Sequence, residues 1–256
     1  MCLVALSWQN HPDYPLIIRA NRDEFFERPS QKIHQWESGF YGGKDLKSGG
    51  TWMGFHPNGR WALLTNYRDF KHPKTAQISR GKLVQDFLEN TIAPKAYLDA
   101  VKANQEKYDG FNLLVSDGSE LYYFSNYGKK IVKVAPGIHG LSNGLLDDPW
   151  PKVELAKSEI KQKMEESIHV DSLLDTLTSK ATYPITELPD TGVPKEMEIG
   201  LSAQFIRLKD NYGTVSATAF TLDKSGKVCM KERSFQPDYS KFTDETCSFQ
   251  VLKPRS

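Results

Sequence analysis

Cys2 stands directly after Met1, and a small side chain at that position is what lets a methionine aminopeptidase cut. Removal of Met1 would leave one residue carrying both a thiol and a free α-amino group. An unperturbed thiol titrates near pH ~8.5 and an α-amino group near ~7.7–8.0, so the amine can take the proton of its own neighbouring sulfur. Nucleophile and general base then belong to a single residue, which is the N-terminal nucleophile arrangement. The same residue has a plainer reading, since a lone Cys in an apolar strand commonly behaves as a small buried hydrophobe.

Two strands have to position this chemistry. Cys2-Leu3-Val4-Ala5-Leu6-Ser7-Trp8 is apolar almost throughout and β-favouring, so it reads as a strand buried on both faces. Pro15-Leu16-Ile17-Ile18-Arg19-Ala20 reads as its partner, joined through the turn-rich Asn10-His11-Pro12-Asp13. A hairpin of these strands brings Asn21-Arg22-Asp23-Glu24 back beside Cys2. Asn and Asp after a strand are also ordinary turn formers.

Further along, Glu27-Arg28-Pro29-Ser30 reads as a polar loop, and Gly42 to Gly50 as a glycine-rich loop that needs positive φ. That passage lacks the glycine spacings of phosphate-binding loops. Thr51 to Phe55 and Arg60 to Asn66 flank the turn Pro57-Asn58-Gly59 as a hairpin, with Trp52 and Trp61 read as core. Ser79 is placed to cap a helix bearing Leu83, Val84, Phe87 and Leu88. Pro94 starts another with Tyr97, Leu98 and Val101 inward. Three strands follow, at 111–115, 121–124 and 130–134. Val153, Ala156, Ile160 and Met164 mark a helix, and Asp171 can cap a short one with Leu173, Leu174 and Leu177. Residues 183–199 carry Pro184, Pro189 and Pro194 and read as a long functional loop. Ala203 to Ile206 and Thr214 to Phe220 are strand-like, and a polar tail closes the chain.

Strands and helices come in blocks instead of alternating, which argues against a doubly wound parallel sheet. The expected fold is α+β: two mainly antiparallel sheets stacked on each other and covered by helices, a four-layer αββα sandwich forming a single domain over 1–256. A formal charge of +1 on 256 residues gives no reason to expect nucleic acid or an anionic membrane as partner. No stretch has the apolar length of an integral membrane segment and no signal region opens the chain, so a cytoplasmic location is expected. Cys2, Cys229 and Cys247 are odd in number and widely spaced, which fits a reducing compartment. His11, His34, His56, His72, His139 and His169 show no metal-ligand spacing, so neither a metal nor a resident cofactor is expected. Among them His139 is the one to test as a haem ligand.

The tetrapeptide Asn21-Arg22-Asp23-Glu24 is the signature of the NRDE family, also called the transport and Golgi organisation 2 family. Several other blocks also resemble that family: Gly49-Gly50-Thr51-Trp52-x-Gly54, Leu64-Thr65-Asn66-Tyr67-Arg68 and Ser79-Arg80-Gly81. So do Gly140-Leu141-Ser142-Asn143 with Pro149-Trp150-Pro151-Lys152, and Leu188-Pro189-Asp190-Thr191-Gly192-Val193. The resemblance implies an N-terminal nucleophile hydrolase-like fold, and links to Golgi and secretory organisation and to handling of haem, acyl-coenzyme A or lipid.

A more distant similarity, to cysteine-type penicillin and bile-salt amidases, implies roles. Cys2 matches their nucleophile. Asp23 would orient the Cys2 α-amino group, and Asn66 and Asn143 match positions that present amide donors to an oxyanion. Arg19, Asn21 and Arg22 are the candidate ligand-binding residues. The pattern departs in two places: the amidases' Arg before Asn is Ala20 here, with Arg19 and Arg22 displaced to either side, and Val215 stands where many family members carry Arg. A side chain shifted by one strand position points to the opposite face.

Two functions follow. One is a cysteine-type N-terminal nucleophile hydrolase acting on an amide or thioester. The other is a non-enzymatic binding or carrier protein for haem, acyl-coenzyme A or lipid that uses the same cleft. Oligomeric state is left open by the sequence.

Overall fold

The computed structural model describes residues 2–252 except 73, 75, 167 and 210. The apolar first strand, β1 (Cys2–Trp8), pairs antiparallel with β2 (Leu16–Phe25), in a register that sets Cys2 opposite Arg22 and Trp8 opposite Leu16. β2 runs further than its apolar part suggests. Asn21 to Glu24 are extended ladder residues, not a turn, because β11 (Tyr212–Leu222) pairs along the other side of β2. β11 satisfies the backbone of this polar segment along its length and β1 as far as Arg22, so its turn-forming residues have no need to turn.

The first sheet continues on either flank with β10 (Gly137–Leu141), β12 (Lys227–Phe235) and β13 (Phe242–Gln250), in the order β10-β1-β2-β11-β12-β13. The second runs in sequence order through β3 (Ser30–Gln35), β4 (Tyr41–Asp45), β5 (Met53–Phe55), β6 (Trp61–Asn66), β7 (Phe111–Ser116), β8 (Leu121–Ser125) and β9 (Ile131–Lys133). The pairings that build both sheets are antiparallel. The helices are α1 (Gly81–Glu89), α2 (Pro94–Ala103), α3 (Pro151–Glu165), α4 (Val170–Leu174) and α5 (Lys195–Gly200).

Three separate cores show how these parts stack. Val4, Leu6 and Ile18 meet Leu63, Leu114 and Phe55 between the two sheets. Leu113 and Val115, on the far face of the second sheet, pack against Leu83, Val84, Phe87, Tyr97 and Leu98 of α1 and α2. Leu3, Ala5, Ile17 and Ala219, on the far face of the first sheet, pack against Val153, Ala156, Ile160 and Leu173 of α3 and α4. The layer order is therefore helix, sheet, sheet, helix, and the α+β sandwich expected from the sequence is the one observed. β1 is buried on both faces because its alternate side chains serve two of these cores. Fully buried side chains of this kind contribute about 1.5–3 kcal/mol each.

Several local expectations are corrected. The polar stretch starting at Ser30 is β3, half of the glycine-rich passage is β4, and the tail is β12 and β13. β13 is mostly exposed, so it has no apolar alternation to announce it; the ladder to β12 recruits it. Residues 203–206 form no strand. Arg80 and His169, not Ser79 and Asp171, hold the N-cap positions of α1 and α4. The proline-rich 183–199 segment contains most of α5. Among the described residues no helix is long and apolar enough to cross a membrane, and no group of three or more His, Cys, Asp or Glu is arranged to hold a metal ion.

Candidate active site

The end of β1 opens into a cleft of about 110 Å³ whose wall includes Cys2, Arg22, Asp23, Trp52, Asn66 and Arg80. Cys2 is half-buried there. The far wall is closed by a contact between two chain segments that only glycine permits. A Cβ on Gly50 would lie 2.5 Å from the carbonyl carbon of Gly81, and the Thr51 N–H donates to Gly81 O at 3.3 Å. This close approach brings the Gly49-Gly50-Thr51-Trp52 and Ser79-Arg80-Gly81 blocks to one place, and Gly49 makes the turn before it with φ +76°.

Arg22 sits across the ladder from Cys2 and is 7 % exposed. Its guanidinium lies over the Trp52 ring, 4.5 Å from the centroid, and 3.5 Å from Asp45. Its guanidinium makes no hydrogen bond to a described residue, and Arg22 lines the cleft wall. Asp45 is held more firmly by Arg28, whose Nε donates at 2.6 Å. Burial opposes ionisation of Asp45, but the Arg28 bond, the Ser48 N–H and the Arg22 charge together hold its carboxyl below the usual range. Glu24 lies 3.8 Å from Arg28. Arg80 donates to Gly110 O at 2.9 Å and lies 3.3 Å from Asp109.

Asp23 is 1 % exposed and accepts from Thr214 Oγ1 at 2.7 Å, while Tyr212 Oη donates to the Asp23 carbonyl at 3.2 Å. Thr214 reaches it because Val215 is the extra residue of a β-bulge between Thr214 and Ser216, which shifts the β11 register against β2. The position where the family resemblance leads one to expect Arg is thus taken up by a bulge. Burial raises the Asp23 carboxyl, against the pull of Lys152, Thr214 and Arg22. Burial also pushes the Cys2 thiol up, with the Asp23 charge acting the same way and Arg22 opposing it.

The two candidate asparagines do different things. Asn66, at the end of β6, is on the cleft wall. Asn143 is fully enclosed and lies outside that wall; its Nδ2 donates to Asn66 O at 2.8 Å, and its own carbonyl accepts from the Arg68 N–H at 2.8 Å. It fixes the strand end that carries Asn66.

Arg19 and Asn21 are not brought to the cleft. Both side chains leave β2 on the face opposite Arg22. Arg19 donates to Leu173 O at 3.0 Å and Thr176 O at 2.9 Å, and Asn21 Nδ2 donates to Leu177 O and Gln204 O at 2.8 and 2.9 Å. His139 has both ring nitrogens engaged, with Asp147 Oδ2 at 2.7 Å and Ala135 O at 2.9 Å, which leaves no nitrogen for haem iron. Trp61 is core, 6.0 Å from Trp8; Trp52 is partly buried against the same core and also lines the cleft.

The sequence alone assigns no site role to Asp45, Trp52, Arg80, Tyr212, Thr214 or Lys152. Trp52, Arg80 and Lys152 lie inside the recognised blocks, so the signal was there without a function attached. Tyr212 and Thr214 join the site only through sheet pairing.

The family model described as Transport and Golgi organisation 2 matches residues 1–237. The Transport and Golgi organization protein 2 homolog of Bos taurus is 33% identical over 258 residues, covering 91% of this chain and 93% of that protein. The Homo sapiens homolog is 33% identical over 276 residues, covering 98% and 99%. Solved structures similar to the chain include a Caenorhabditis elegans N-acylethanolamine-hydrolyzing acid amidase ortholog, with 12% identity, TM-score 0.47, and 85% and 92% coverage. A mutant conjugated bile acid hydrolase from Clostridium perfringens has 8% identity, TM-score 0.45, and 98% and 97% coverage.

Proposed function

The chain belongs to the Transport and Golgi organisation 2 family, and from that premise we propose that it is a cysteine-type N-terminal nucleophile hydrolase cleaving an amide or thioester bond. The observation that carries this reading is the cleft itself, where Cys2 lies on the wall with a buried carboxylate, Asp23, and across the ladder from the donor-rich Arg22.

In the proposed sequence Met1, which lies outside the described residues, is removed. The freed α-amino group, held by Asp23, takes the Cys2 Sγ proton, and the thiolate adds to the substrate carbonyl. Asn66 donates to the oxyanion, and Asn143 keeps Asn66 in place. The tetrahedral intermediate then collapses with cleavage of the C–N or C–S bond, and the ammonium returns its proton to the leaving group. Water, deprotonated by the same amine, hydrolyses the acyl-cysteine and regenerates the thiol. Arg22 receives an anionic group of the substrate. Arg19 and Asn21 have no part in this ligand site. The reaction needs no resident cofactor, and the protein would act on a small molecule in the cytoplasm, with the family name as its link to secretory organisation.

One observation favours a second reading. A thiol raised by burial is the reverse of a pre-activated nucleophile, and a half-buried cysteine of that kind on a cleft wall suits a binder or carrier of haem, acyl-coenzyme A or lipid. Untagged protein assayed against a panel of N-acyl amides and acyl thioesters separates the two. The hydrolase reading expects turnover that Cys2→Ala lowers by at least about 10³-fold. Full turnover in that variant contradicts it, and saturable binding without turnover favours the carrier.

A further inference from the structure

Cys2 lines a second space besides the cleft. This smaller pocket, of about 10 Å³, lies between the two sheets and shares Cys2, Arg22, Trp52 and Leu64 with the cleft. The strand period puts it there. Cys2 is on the face of β1 that carries Val4 and Leu6 towards the second sheet. The ladder sets Ala20 opposite Val4, and Thr218 of β11 opposite Ala20 on its other side. Met53 and Leu63, themselves ladder partners, form the wall from the second sheet.

About 10 Å³ is close to the least room that holds one water molecule. Val4, Met53 and Leu63 are buried in the core cluster that continues through Leu6, Ile18 and Leu114. A hydrocarbon chain entering past Cys2 therefore meets close-packed side chains almost at once. Ala20 is only partly buried, and its small side chain leaves the space that exists. The cleft itself offers such a chain no better place. Arg22, Glu24, Arg28, Asp45 and Arg80 stand on its wall, and a long alkyl group laid against them would desolvate charges without replacing their contacts. An apolar space and a charged one thus meet at Cys2, one for each side of a scissile bond.

We propose that the small space is the acyl pocket of the cleft, that Ala20 and Met53 set its length, and that the substrate is an amide or thioester of a short, acetyl-sized acyl group whose polar remainder lies in the charged cleft. This deepens the hydrolase reading and rests on it for the reaction. The size limit can be measured without it.

The test uses methyl and n-butyl methanethiosulfonate, which modify a thiol whether or not it is an activated nucleophile. Cys2 Sγ attacks the alkyl-bearing sulfur, the S–S bond breaks to release methanesulfinate, and the thiol proton goes to solvent. The added sulfur then stands where an acyl carbonyl carbon would, with the alkyl group in place of the acyl chain. Rates at Cys2 are read by peptide mass mapping and divided by those of glutathione. The methyl reagent is expected to outpace the butyl one by at least about tenfold. In Met53→Ala that preference should shrink to about threefold or less, and in Ala20→Val the methyl reagent itself should slow by about tenfold. Equal normalised rates in the unaltered chain overturn the proposal, as does a preference that Met53→Ala leaves intact. Should Met53→Ala fail to fold, Ala20→Val decides: a methyl reagent that it does not slow overturns the pocket.

Turnover separates this inference from the reading beneath it. If no acyl amide or thioester is turned over while the methyl preference stands, the hydrolase reading falls and the size limit survives. If the octanoyl thioester of N-acetylcysteamine is hydrolysed as fast as the acetyl one, only the present inference falls.

Discussion

Arg19 and Arg22 are buried arginines of one strand, and the structure uses them in opposite ways. Arg19 turns towards α4 and spends its donors on Leu173 O, Thr176 O, Ala20 O and Asn21 Oδ1, at 3.0, 2.9, 2.6 and 2.8 Å. It ties the residues after α4 to the sheet. Arg22, on the other face, lies against a ring and a carboxylate and lines the cleft. A guanidinium whose donors are consumed by backbone carbonyls is a structural tie. One that is fixed in orientation without being consumed is available to a ligand. The strand's period of two decides which is which.

The largest consequence concerns Arg19. Arg19→Met strands several buried acceptors at once and is expected to cost about 3–5 kcal/mol in urea unfolding. A loss below about 1 kcal/mol would break the contrast from the structural side.

Next comes the carboxylate that accompanies Arg22 between the sheets. Glu232 is 3 % exposed, and burial drives it up to about 7 although Arg22 and Lys32 oppose the rise. Its ordinary value is 4.5. Between those values the folded chain holds a proton that the unfolded chain has released, so stability is highest below the lower value. It falls as pH rises through the upper one, by about 3 kcal/mol for this group. Glu232→Gln should flatten that part of the stability–pH curve; an unaltered slope would mean that the carboxyl is not protonated by burial.

The smallest effect is the most specific. Arg22 should make anionic iodoacetate a better Cys2 reagent relative to neutral iodoacetamide, and Arg22→Met should lower that rate ratio about tenfold. Its stability should move by less than about 1 kcal/mol. A ratio unaffected by Arg22→Met would return Arg22 to the same class as Arg19.

Much of the architecture could be read from the chain because β1 is a continuous apolar run and α1, α2 and α3 carry apolar residues at helical spacing. β3, β12 and β13 could not, since polar strands are held by their neighbours more than by any pattern of their own. The site was legible where chemistry is local: Cys2 and Asp23 lie on consecutive strands of one hairpin. Arg19 and Arg22 were singled out together, yet only the register assigns their faces. Asn143 matched an oxyanion position by motif, while the fold spends its amide on Asn66. Thr214 meets Asp23 from β11, across a distance in sequence that no spacing rule spans.

The central claim is that Cys2 becomes an activated N-terminal nucleophile. The most direct test is intact mass on protein expressed without an N-terminal tag, recorded before and after brief iodoacetamide treatment, with peptide mapping of the label. The expected result is a chain lacking Met1 whose Cys2 is alkylated well ahead of Cys229 and Cys247. A chain that retains Met1, or a Cys2 that reacts no faster than the other two, would contradict it.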